Sequence, residues 1–425
     1  MYNVLKGVSD MTKANNKNIG FFTLCGLIIG PILGSGIVLL PPIANNLVGD
    51  FAVFAWMIIM ALGIVFAYVF IFLSLKSPGN EGVAIAVGST LGPFWRELTA
   101  NFLTTAVCFG PAAVVITAAN FLKNFSFLSG VNSEIIAFCI VVGCAAVLIS
   151  GVKTLSRFTL ILTGFTAVLL FCGSIYTLIF SSHIHLPQTS FSFSSFGYTL
   201  LLLFWSIVGW EVVGNYIEDI NNPQKTLMKA MTISLVVIVV LYMTVALAMQ
   251  SLDGEADSIT AIMTPLFGSL ALPIMGIIAS GLCISTYLMI IGAVSRMSAT
   301  RAADKRLPFF LSRLNKNGSP INAVIALAVI HSFSLAIMAT GIMNIGSFVT
   351  CANVFFLSNA IIGLLAGFRL LDNIKLRAAI VMLITAFTLL LLKASIWSLA
   401  LLLVVTLVSI YNFKKLNKYN QSIEF

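Results

Sequence analysis

The feature that most constrains the fold of this chain is a series of apolar runs of roughly 20 residues each. An α-helix of that length crosses the hydrocarbon core of a bilayer, which is about 30 Å thick. We predict twelve spans, at approximately 19–46, 51–76, 94–122, 132–150, 157–181, 197–220, 228–250, 266–295, 321–341, 344–368, 376–393 and 396–413. The expected fold class is an all-α integral membrane protein embedded in a lipid bilayer.

Composition agrees with this class and excludes others. Hydrophobic residues make up 59% of the 425 residues, charged residues make up 9%, and the mean hydropathy is +1.06. A soluble domain carries about 25% charged residues. The net charge of +9 does not indicate a nucleic-acid partner, because the basic residues fall in particular loops. The cysteines lie inside apolar runs without zinc-like spacing, so neither a metal nor a cofactor is expected.

The distribution of basic residues predicts the orientation in the membrane. If residues 1–18 form a cytoplasmic tail, every Lys and Arg except Lys123 and Lys393 falls on the cytoplasmic side of the twelve spans. Lys and Arg accumulate on that side of membrane proteins. We therefore expect a multi-pass protein of the cell membrane (inner or plasma), with 1–18 and 414–425 both cytoplasmic. The first apolar run is too long for a signal-peptide core, so the N-terminal tail is expected to be retained.

The first span contains a sequence that should interrupt its helix. Residues 33–37 (LGSGI) lie at mid-depth, with Pro31 before them and Pro41 and Pro42 after them. Glycine and proline weaken a helix interior, and lipid offers no partner for free backbone groups. An interrupted helix must face a cavity, where its amides and carbonyls can bind the charged ends of a small ligand. Small residues also allow close helix packing, and that alternative stays open for this motif taken alone.

A second interruption is predicted in the sixth span, at residues 208–210 (VGW). The chain would cross the membrane in opposite directions at the two breaks, which lie five spans apart. Two interrupted helices in corresponding positions indicate an inverted repeat. We predict a five-plus-five arrangement with helices 1 and 6 broken. In it, 19–181 forms the first repeat (helices 1–5), 197–368 forms the second (helices 6–10), and 376–413 adds helices 11 and 12.

The two breaks would offer groups of opposite polarity. The second half of helix 1 would begin at the break, so the amides of Ser35, Gly36 and Ile37 would lack intrahelical partners and attract a carboxylate. Carbonyls near Leu33 and Ile207 would end half-helices and attract an ammonium group. An α-amino acid carries both groups, so we expect an amino acid to bind by its main-chain atoms, with Gly34 among the substrate-binding residues.

Glu211 is the one acidic residue that we place inside a membrane span. Burying a carboxylate is costly, so such a residue is expected to have a function. A raised pKa would suit proton coupling, and the alternative is a structural hydrogen-bond clamp between helices. His331, in span nine, is expected to be a hydrogen-bonded interior residue rather than a proton relay.

Aromatic and hydroxyl side chains near the breaks are further candidates. Trp205 and Trp210 flank the second break, and Tyr287 lies in the middle of span eight, where each could cover a substrate or face lipid. Ser285 and Thr286 could line a small ion site, although their hydroxyls could equally bond their own helix.

Three segments share a pattern with a known family. The first is GPILGSGIVLLPP at 30–42, the second is FWSIVGWEVVGNYIEDINNP at 204–223, and the third is the basic loop at 296–320. Together they resemble the amino acid–polyamine–organocation (APC) superfamily of amino-acid permeases, in its helix-one G-[ST]-G motif, its helix-six pattern and its loop after helix eight. The closest resemblance is to the neutral amino-acid exporter branch, which handles methionine and branched-chain amino acids. The order and spacing of the segments cover nearly the whole chain.

This resemblance implies twelve helices in the five-plus-five inverted-repeat fold. It implies that the backbone at Ser35, Gly36 and Gly209 recognises the substrate, and that Trp205 forms an aromatic gate.

The resemblance also implies a second aromatic contact at Tyr287, and it places Glu211 where related exchangers have a glutamate linked to proton sensing. The chain departs from the family pattern at Glu81, where relatives usually keep a glycine. Thr166 falls near the helix-five position at which some proton-coupled members carry a lysine. The coupling ion, H+ or Na+, is therefore left open.

We expect a secondary active transporter that moves a neutral, apolar amino acid by alternating access, and not an enzyme. Glu211 is the one predicted intramembrane charge that could pair with a charged substrate side chain. A cationic substrate that pairs with Glu211 therefore stays an open alternative. The alternative is a receptor or assembly subunit that binds a small ligand without transporting it. An intramembrane enzyme would need clustered His, Asp or Glu residues, and a channel would need a repeated filter-like loop; the sequence shows neither pattern. The direction of transport and the oligomeric state are not indicated.

Overall fold

The computed structural model describes residues 20–77, 83–150, 155–180, 189–210, 220, 222–252 and 258–421. Most of these residues form helices, and none of them forms a β-sheet. The predicted all-α class is therefore confirmed for the described part of the chain. The predicted tail 1–18, the last residues of the tail 414–425, Glu81 and Glu211 lie outside the described residues.

Most of the predicted apolar runs correspond to one α-helix. In chain order the α-helices are α1 (Phe21–Leu33), α2 (Gly36–Val48), α3 (Ala52–Lys76), α4 (Val83–Leu91), α5 (Pro93–Leu122), α6 (Ser133–Ser150), α7 (Leu155–Phe180), α8 (Phe193–Leu203), α9 (Pro223–Gln250), α10 (Thr264–Phe267), α11 (Ala271–Ala303), α12 (Ile321–Ala339), α13 (Ile345–Leu370), α14 (Ile374–Leu391) and α15 (Ile396–Gln421). Short 3-10 helices lie at Gly49–Phe51, Phe204–Ile207, Ile259–Met263, Gly268–Leu270 and Phe309–Ser312.

Within the described ranges, 10 helical stretches are long and apolar enough to cross a membrane. One of them, Leu24–Lys76, has 53 residues and runs through α1, α2 and α3, which cover the first two predicted spans. The sixth predicted span is represented by the shorter stretch Phe193–Ile207. The chain is therefore a multi-pass membrane protein, while the count of twelve spans and the repeat boundaries stay predictions.

Helices α5 and α13 form the centre of the bundle. In their most apolar stretches 72% and 78% of the residues are buried within the protein, against 11% in α15. The two helices pack along each other through aromatic pairs: the ring centroids of Phe102 and Phe355 are 5.8 Å apart, and those of Phe109 and Phe348 are 6.0 Å apart. Because lipid is as apolar as leucine, the exposed apolar surface of α15 suits a peripheral helix.

A charged cluster connects one end of α5 to α11 and α15. Arg301, in the last turn of α11, is buried and donates to Glu97 at 3.1 Å and to Asn101 at 2.6 Å, both on α5. Arg306 also pairs with Glu97, and Asn101 donates to Ser409 on α15 at 2.8 Å. Helix α11 extends past the predicted end of span eight, because these partners allow its basic last turn to be buried.

The sequence predicts the boundary between two helices, α12 and α13, but does not predict the short helix α4. The turn signal at 340–344 predicts that spans nine and ten are separate, and α12 and α13 are indeed separated there. The side-chain oxygen of Asn344 accepts a hydrogen bond from the Ser347 amide at 2.8 Å, which caps α13. Helix α4 was not predicted, because its 9 residues are too few to show a clear helical period.

Candidate functional site

The helix of the first span is interrupted between α1 and α2, where the sequence predicts a break. α1 ends at Leu33 and α2 begins at Gly36. Gly34 has φ +28°, and its amide donates to the Gly30 carbonyl at 2.9 Å. A side chain is strained at this φ, and a Cβ atom there would also lie 2.8 Å from the carbonyl oxygen of Pro31. The chain turns at this point because residue 34 is a glycine.

The start of α2 presents backbone amides to this break. Ser35 is the N-cap residue, and its side chain does not cap the first turn. The first amides of a helix have no partner within the helix, and they carry the positive end of its dipole. Ser35, Gly36 and Ile37 are all buried within the protein. A positive helix end is thus held inside the bundle.

The helix of the sixth span changes conformation at its predicted break. α8 runs into the 3-10 turn Phe204–Ile207, after which Val208 is extended and Gly209 has φ +121°. Only glycine adopts such a φ readily. Glu211, the proton-coupling candidate, lies just beyond the described residues.

The two breaks contact each other. Trp205 donates from Nε1 to Oγ of Ser35 at 3.4 Å. A Cβ atom at Gly209 would lie 3.2 Å from Cγ1 of Ile32, so the second break passes close to the last turn of α1. Ile207 faces another way and fills the space beside Gly63 on α3, where a Cβ atom would lie 2.7 Å from its Cγ2. None of these six residues carries a charge.

The indole of Trp205 rests in a seat formed by α5 and α13. A Cβ atom at Gly110 on α5 would overlap the ring, with Cζ3 only 2.7 Å away. Phe356 on α13 meets the indole edge-on, with ring centroids 5.9 Å apart. Trp205 therefore bridges the first break and the central pair of helices.

Polar side chains from two other helices bind carbonyls near the breaks, and neither was predicted from the sequence. Tyr242 on α9 donates its hydroxyl to the Ile32 carbonyl at 3.2 Å. Asn353 on α13 donates its amide to the carbonyls of Leu201 and Leu202 at 2.7 and 3.1 Å. Both side chains are fully buried. A polar residue inside an apolar span does indicate a buried hydrogen bond. It does not indicate which carbonyl, on which helix, is the partner.

Tyr242 gives a second reason for glycine at position 36. A Cβ atom at Gly36 would lie 2.8 Å from the Tyr242 hydroxyl oxygen and 3.5 Å from Cδ1 of Trp205. The phenol ring is itself fixed by stacking on Trp56 of α3, with ring centroids 4.8 Å apart. Gly36 therefore makes room for Tyr242 as well as exposing the backbone.

The three candidates on α11 have different surroundings. Thr286 lies against the first break, where its Oγ1 is 3.0 Å from the position of a Cβ atom at Gly34, and it donates to the Leu282 carbonyl of its own helix. Ser285 is buried. Tyr287 directs its hydroxyl to Nδ1 of His331 on α12, at 2.8 Å. Of the three, Thr286 is the one that the structure places beside the break.

A further hydroxyl faces α1 and was also missed. Oγ1 of Thr163 on α7 is buried without a hydrogen-bond partner, 3.8 Å from the position of a Cβ atom at Gly30. Thr166 instead donates to the Leu162 carbonyl of its own helix at 2.8 Å. Residues three apart share a helix face, so the position of Thr166 could have indicated Thr163.

The junction of the two breaks is closed in this conformation. Trp205 is 9% exposed, and Trp210, five residues later in the sequence, is also buried. Open surface depressions lie elsewhere, beside Lys225 and Lys229 on α9 and beside Trp95 on α5. Within the described ranges no three His, Cys, Asp or Glu side chains come together to hold a metal ion. A ligand that reached the amides of α2 would require Trp205 or its neighbours to move.

Comparison with known sequences covers nearly the full length of the chain. The profile of the amino acid permease family matches residues 19–414. That range includes both breaks and every helix of the bundle except the last residues of α15.

Three known proteins are similar to this chain over most of their length. The L-methionine/branched-chain amino acid exporter YjeH of Escherichia coli (strain K12) is 24% identical over 369 residues, which are 84% of this chain and 87% of the exporter. The cadaverine/lysine antiporter of the same organism is 25% identical over 351 residues, 77% of this chain and 76% of the antiporter. The uncharacterized amino acid permease YecA of Bacillus subtilis (strain 168) is 21% identical over 344 residues, 77% and 79% of the two chains.

Proposed function

The chain belongs to the amino acid permease family, within the APC superfamily, and on that premise we propose that it carries neutral, apolar amino acids by alternating access. It is an amino-acid transporter and not an enzyme, because the family match covers most of the chain and its similar proteins are transporters. The observation that carries the proposal is the contact between the two breaks, made by Trp205 Nε1 and Ser35 Oγ at 3.4 Å.

The proposed architecture extends what the described helices provide. It has twelve spans in a five-plus-five inverted repeat, with 19–181 and 197–368 as the repeats and 376–413 as two added helices. Both termini are cytoplasmic, and the protein lies in the cell membrane. The basic residues on one side of the spans support this orientation.

The proposed binding mode uses the backbone of the first break. The substrate carboxylate meets the amides of Ser35, Gly36 and Ile37, whose position at the buried start of α2 supports this role. The ammonium group meets carbonyls at the ends of α1 and of the Phe204–Ile207 turn, near Leu33 and Ile207. The Ile32 carbonyl is already held by Tyr242, which leaves its neighbours for the ligand.

The proposed side-chain pocket is apolar. Trp205 covers the site, supported by its seat on Gly110 and Phe356 and by the absence of charge among these three residues. A charged side chain would lose its hydration there without an opposite charge among the described neighbours. Leucine, isoleucine and methionine fit such a pocket, which is consistent with the name of one similar protein, an exporter of methionine and branched-chain amino acids.

Coupling is proposed to involve Glu211 or the hydroxyls near α1. Glu211 follows the second break by two residues, so a proton on its carboxyl group could bias the conformation of that break. Ser285 and Thr286 are the alternative, as part of a Na+ site, and the contact of Thr286 with Gly34 supports including it. Proton coupling requires a titratable group such as Glu211, whereas Na+ coupling through these hydroxyls does not.

A competition series on protein reconstituted in liposomes tests the substrate and the coupling together. Each buried methylene contributes about 0.8 kcal/mol, close to a factor of four in affinity. Unlabelled methionine and isoleucine should therefore displace labelled leucine better than alanine does, and glycine should be poorest. In Glu211→Gln, leucine uptake should continue with a flattened pH dependence, because the side chain keeps its shape and no longer titrates.

Three outcomes would overturn parts of this proposal. Displacement of leucine by arginine or lysine more effectively than by methionine would indicate a cationic substrate, as in the name of the cadaverine/lysine antiporter. Saturable binding without uptake would indicate a receptor or assembly subunit. An unchanged pH profile in Glu211→Gln would leave that residue a structural role only.

A further inference from the structure

The central helix α5 contains a proline that leaves one backbone carbonyl without its helical donor. Pro111 lies in the interior of α5, which continues from Pro93 to Leu122. Proline has no N–H group, so it cannot donate to the carbonyl four residues earlier, which belongs to Val107. That carbonyl lies in the buried centre of the bundle, where an unpaired acceptor is unfavourable.

A histidine from a neighbouring helix supplies the missing donor. Nε2 of His331 on α12 is 2.8 Å from the Val107 carbonyl oxygen. A carbonyl can only accept, so Nε2 carries the hydrogen in this contact. Nδ1 is then the acceptor of the ring, and it receives the hydrogen bond from the Tyr287 hydroxyl at 2.8 Å. His331 is 0% exposed and Tyr287 is 1% exposed.

A second residue of α12 reaches the same part of α5. Ser334, three residues after His331 and on the same helix face, has its Oγ 3.5 Å from the Cys108 carbonyl and 3.1 Å from the Ile330 carbonyl of its own helix. α12 therefore presents a polar edge along an otherwise apolar helix, and it does so at the turn that precedes the proline.

The segment held in this way also forms the seat of Trp205. Gly110 lies next to Pro111, and the space that its missing side chain leaves is filled by the Trp205 indole. Movement of α5 at residues 107–111 would therefore shift the surface on which the indole rests. The contacts run in order from Tyr287 through His331 and Val107 to Gly110 and Trp205.

We propose that His331 is a positioning residue for substrate binding: its Nε2 replaces the backbone donor absent at Pro111 and thereby fixes the α5 surface under Trp205. Tyr287 takes part by fixing the tautomer of His331, and its hydroxyl is not a direct substrate ligand. This inference rests on the proposed function, in which Trp205 covers the bound amino acid. Its hydrogen-bonding part can be tested without any substrate.

A double-mutant cycle between positions 111 and 331 tests the hydrogen bond. Pro111→Ala gives the Val107 carbonyl a donor from its own helix, so that the histidine is no longer needed. His331→Leu should lower the apparent Tm of the purified protein, and in the Pro111→Ala background it should lower the Tm much less. Ser332→Ala is the matched control, because that partly buried serine donates to the Ala328 carbonyl of its own helix. An equal loss in both backgrounds would mean that the bond to the Val107 carbonyl is not what His331 contributes, and the proposal would be wrong.

A conservative variant keeps the test decisive if Pro111→Ala does not fold. His331→Gln places an amide donor near the position of Nε2 and should retain most of the Tm that His331→Leu loses. If glutamine and leucine were equally destabilising, a donor to Val107 would not be what matters at this position.

Leucine uptake in liposomes tests the positioning role. Loss of one buried hydrogen bond corresponds to about a tenfold effect. His331→Leu should raise the KM for leucine by about that factor with a smaller change in maximal rate, and His331→Gln should stay close to the wild-type KM. An unchanged KM in a His331→Leu protein that does transport leucine would overturn the positioning role. If wild-type protein neither bound nor transported leucine, the proposed function would fail while the Tm cycle still decided the hydrogen bond.

Discussion

The first and third apolar spans each contain glycine close to proline, yet their backbones differ. At Gly34, three residues after Pro31, the backbone turns at φ +28° and one helix ends before another begins. At Gly110-Pro111 the helix α5 continues without interruption. The same residue types therefore produce an open helix end in one place and a continuous helix in the other.

The difference lies in which backbone group is left free and what is near it. Pro111 removes a donor and leaves an acceptor, the Val107 carbonyl, which His331 satisfies at 2.8 Å. The break at Gly34 frees amide donors at the start of α2, and the side chain of Ser35 does not cap them. A neighbouring helix closes the proline gap and stabilises the bundle, whereas we propose that the uncapped, positive start of α2 receives an anion once the closed junction opens.

Gly34→Ala attacks the open break and should have the largest effect. The alanine would be strained at φ +28° and would meet the Pro31 carbonyl oxygen at 2.8 Å. Strained backbone conformations cost on the order of 1–3 kcal/mol, so we expect a lower apparent Tm and no measurable leucine binding. Thermal unfolding with and without leucine gives both values.

A glycine in an open position provides the control for this variant. Gly164 on α7 has nothing within 4 Å of its Cβ position. Gly164→Ala should leave leucine binding intact and stabilise the helix by about 0.5–1 kcal/mol. If the two variants behaved alike, the special geometry of residue 34 would not be what binding requires.

Gly110→Ala acts on the continuous helix and should have the second largest effect. Its Cβ atom would overlap the Trp205 ring, and forcing extra atoms into a packed site costs about 1–3 kcal/mol. We expect the KM for leucine uptake to rise roughly 10- to 100-fold. Gly143→Ala on α6, where a Cβ atom meets nothing within 4 Å, should leave the KM unchanged.

The smaller ring of Trp205→Phe sharpens this test. Adding it to Gly110→Ala removes the overlap and should restore part of the lost affinity. A double variant no better than Gly110→Ala alone would show that the indole does not need the space at residue 110.

Ser35→Ala removes the bond that connects the two breaks and should have the smallest effect. The Trp205–Ser35 hydrogen bond is 3.4 Å long, and a typical hydrogen bond contributes about 0.5–1.5 kcal/mol. We expect a KM increase of roughly two- to tenfold in leucine uptake. Ser206→Ala is the control, because that buried serine bonds the Leu203 carbonyl of its own helical turn. Equal effects of the two alanines would argue against a specific role for the Trp205–Ser35 bond.

Sequence reasoning reaches the features that depend on local chemistry. Because lipid offers no hydrogen bonds, backbone groups in the membrane must bond to each other, and each long apolar run therefore predicts a helix. The run 94–122, for example, corresponds to α5 at Pro93–Leu122. Glycines at 34 and 209 predict the two turns because few other residues adopt their φ values. These predictions need no knowledge of which helices are neighbours.

The remaining features depend on contacts between residues distant in sequence. Tyr242 and Ile32, and His331 and Val107, are each separated by more than 200 residues. The periodicity of a helix does not indicate such a partner. The sequence pattern around one tyrosine or histidine in an apolar span is the same whether its side chain faces lipid or a carbonyl. Tyr287 illustrates the point: its mid-span position leaves both covering a substrate and facing lipid open, and in the structure its hydroxyl bonds to His331.

Because Trp205 bonds to Ser35 across the two breaks, its intrinsic fluorescence can report changes at their junction. Indole emission shifts in wavelength when the polarity around the ring changes, and Trp205 links a buried hydroxyl, a phenyl edge and a bare glycine. The chain has 5 tryptophans, so a version with phenylalanine at 56, 95, 210 and 397 would emit from this ring alone. If the protein works by the proposed alternating access, the spectrum of this version would follow the opening and closing of the junction during turnover, without any attached dye.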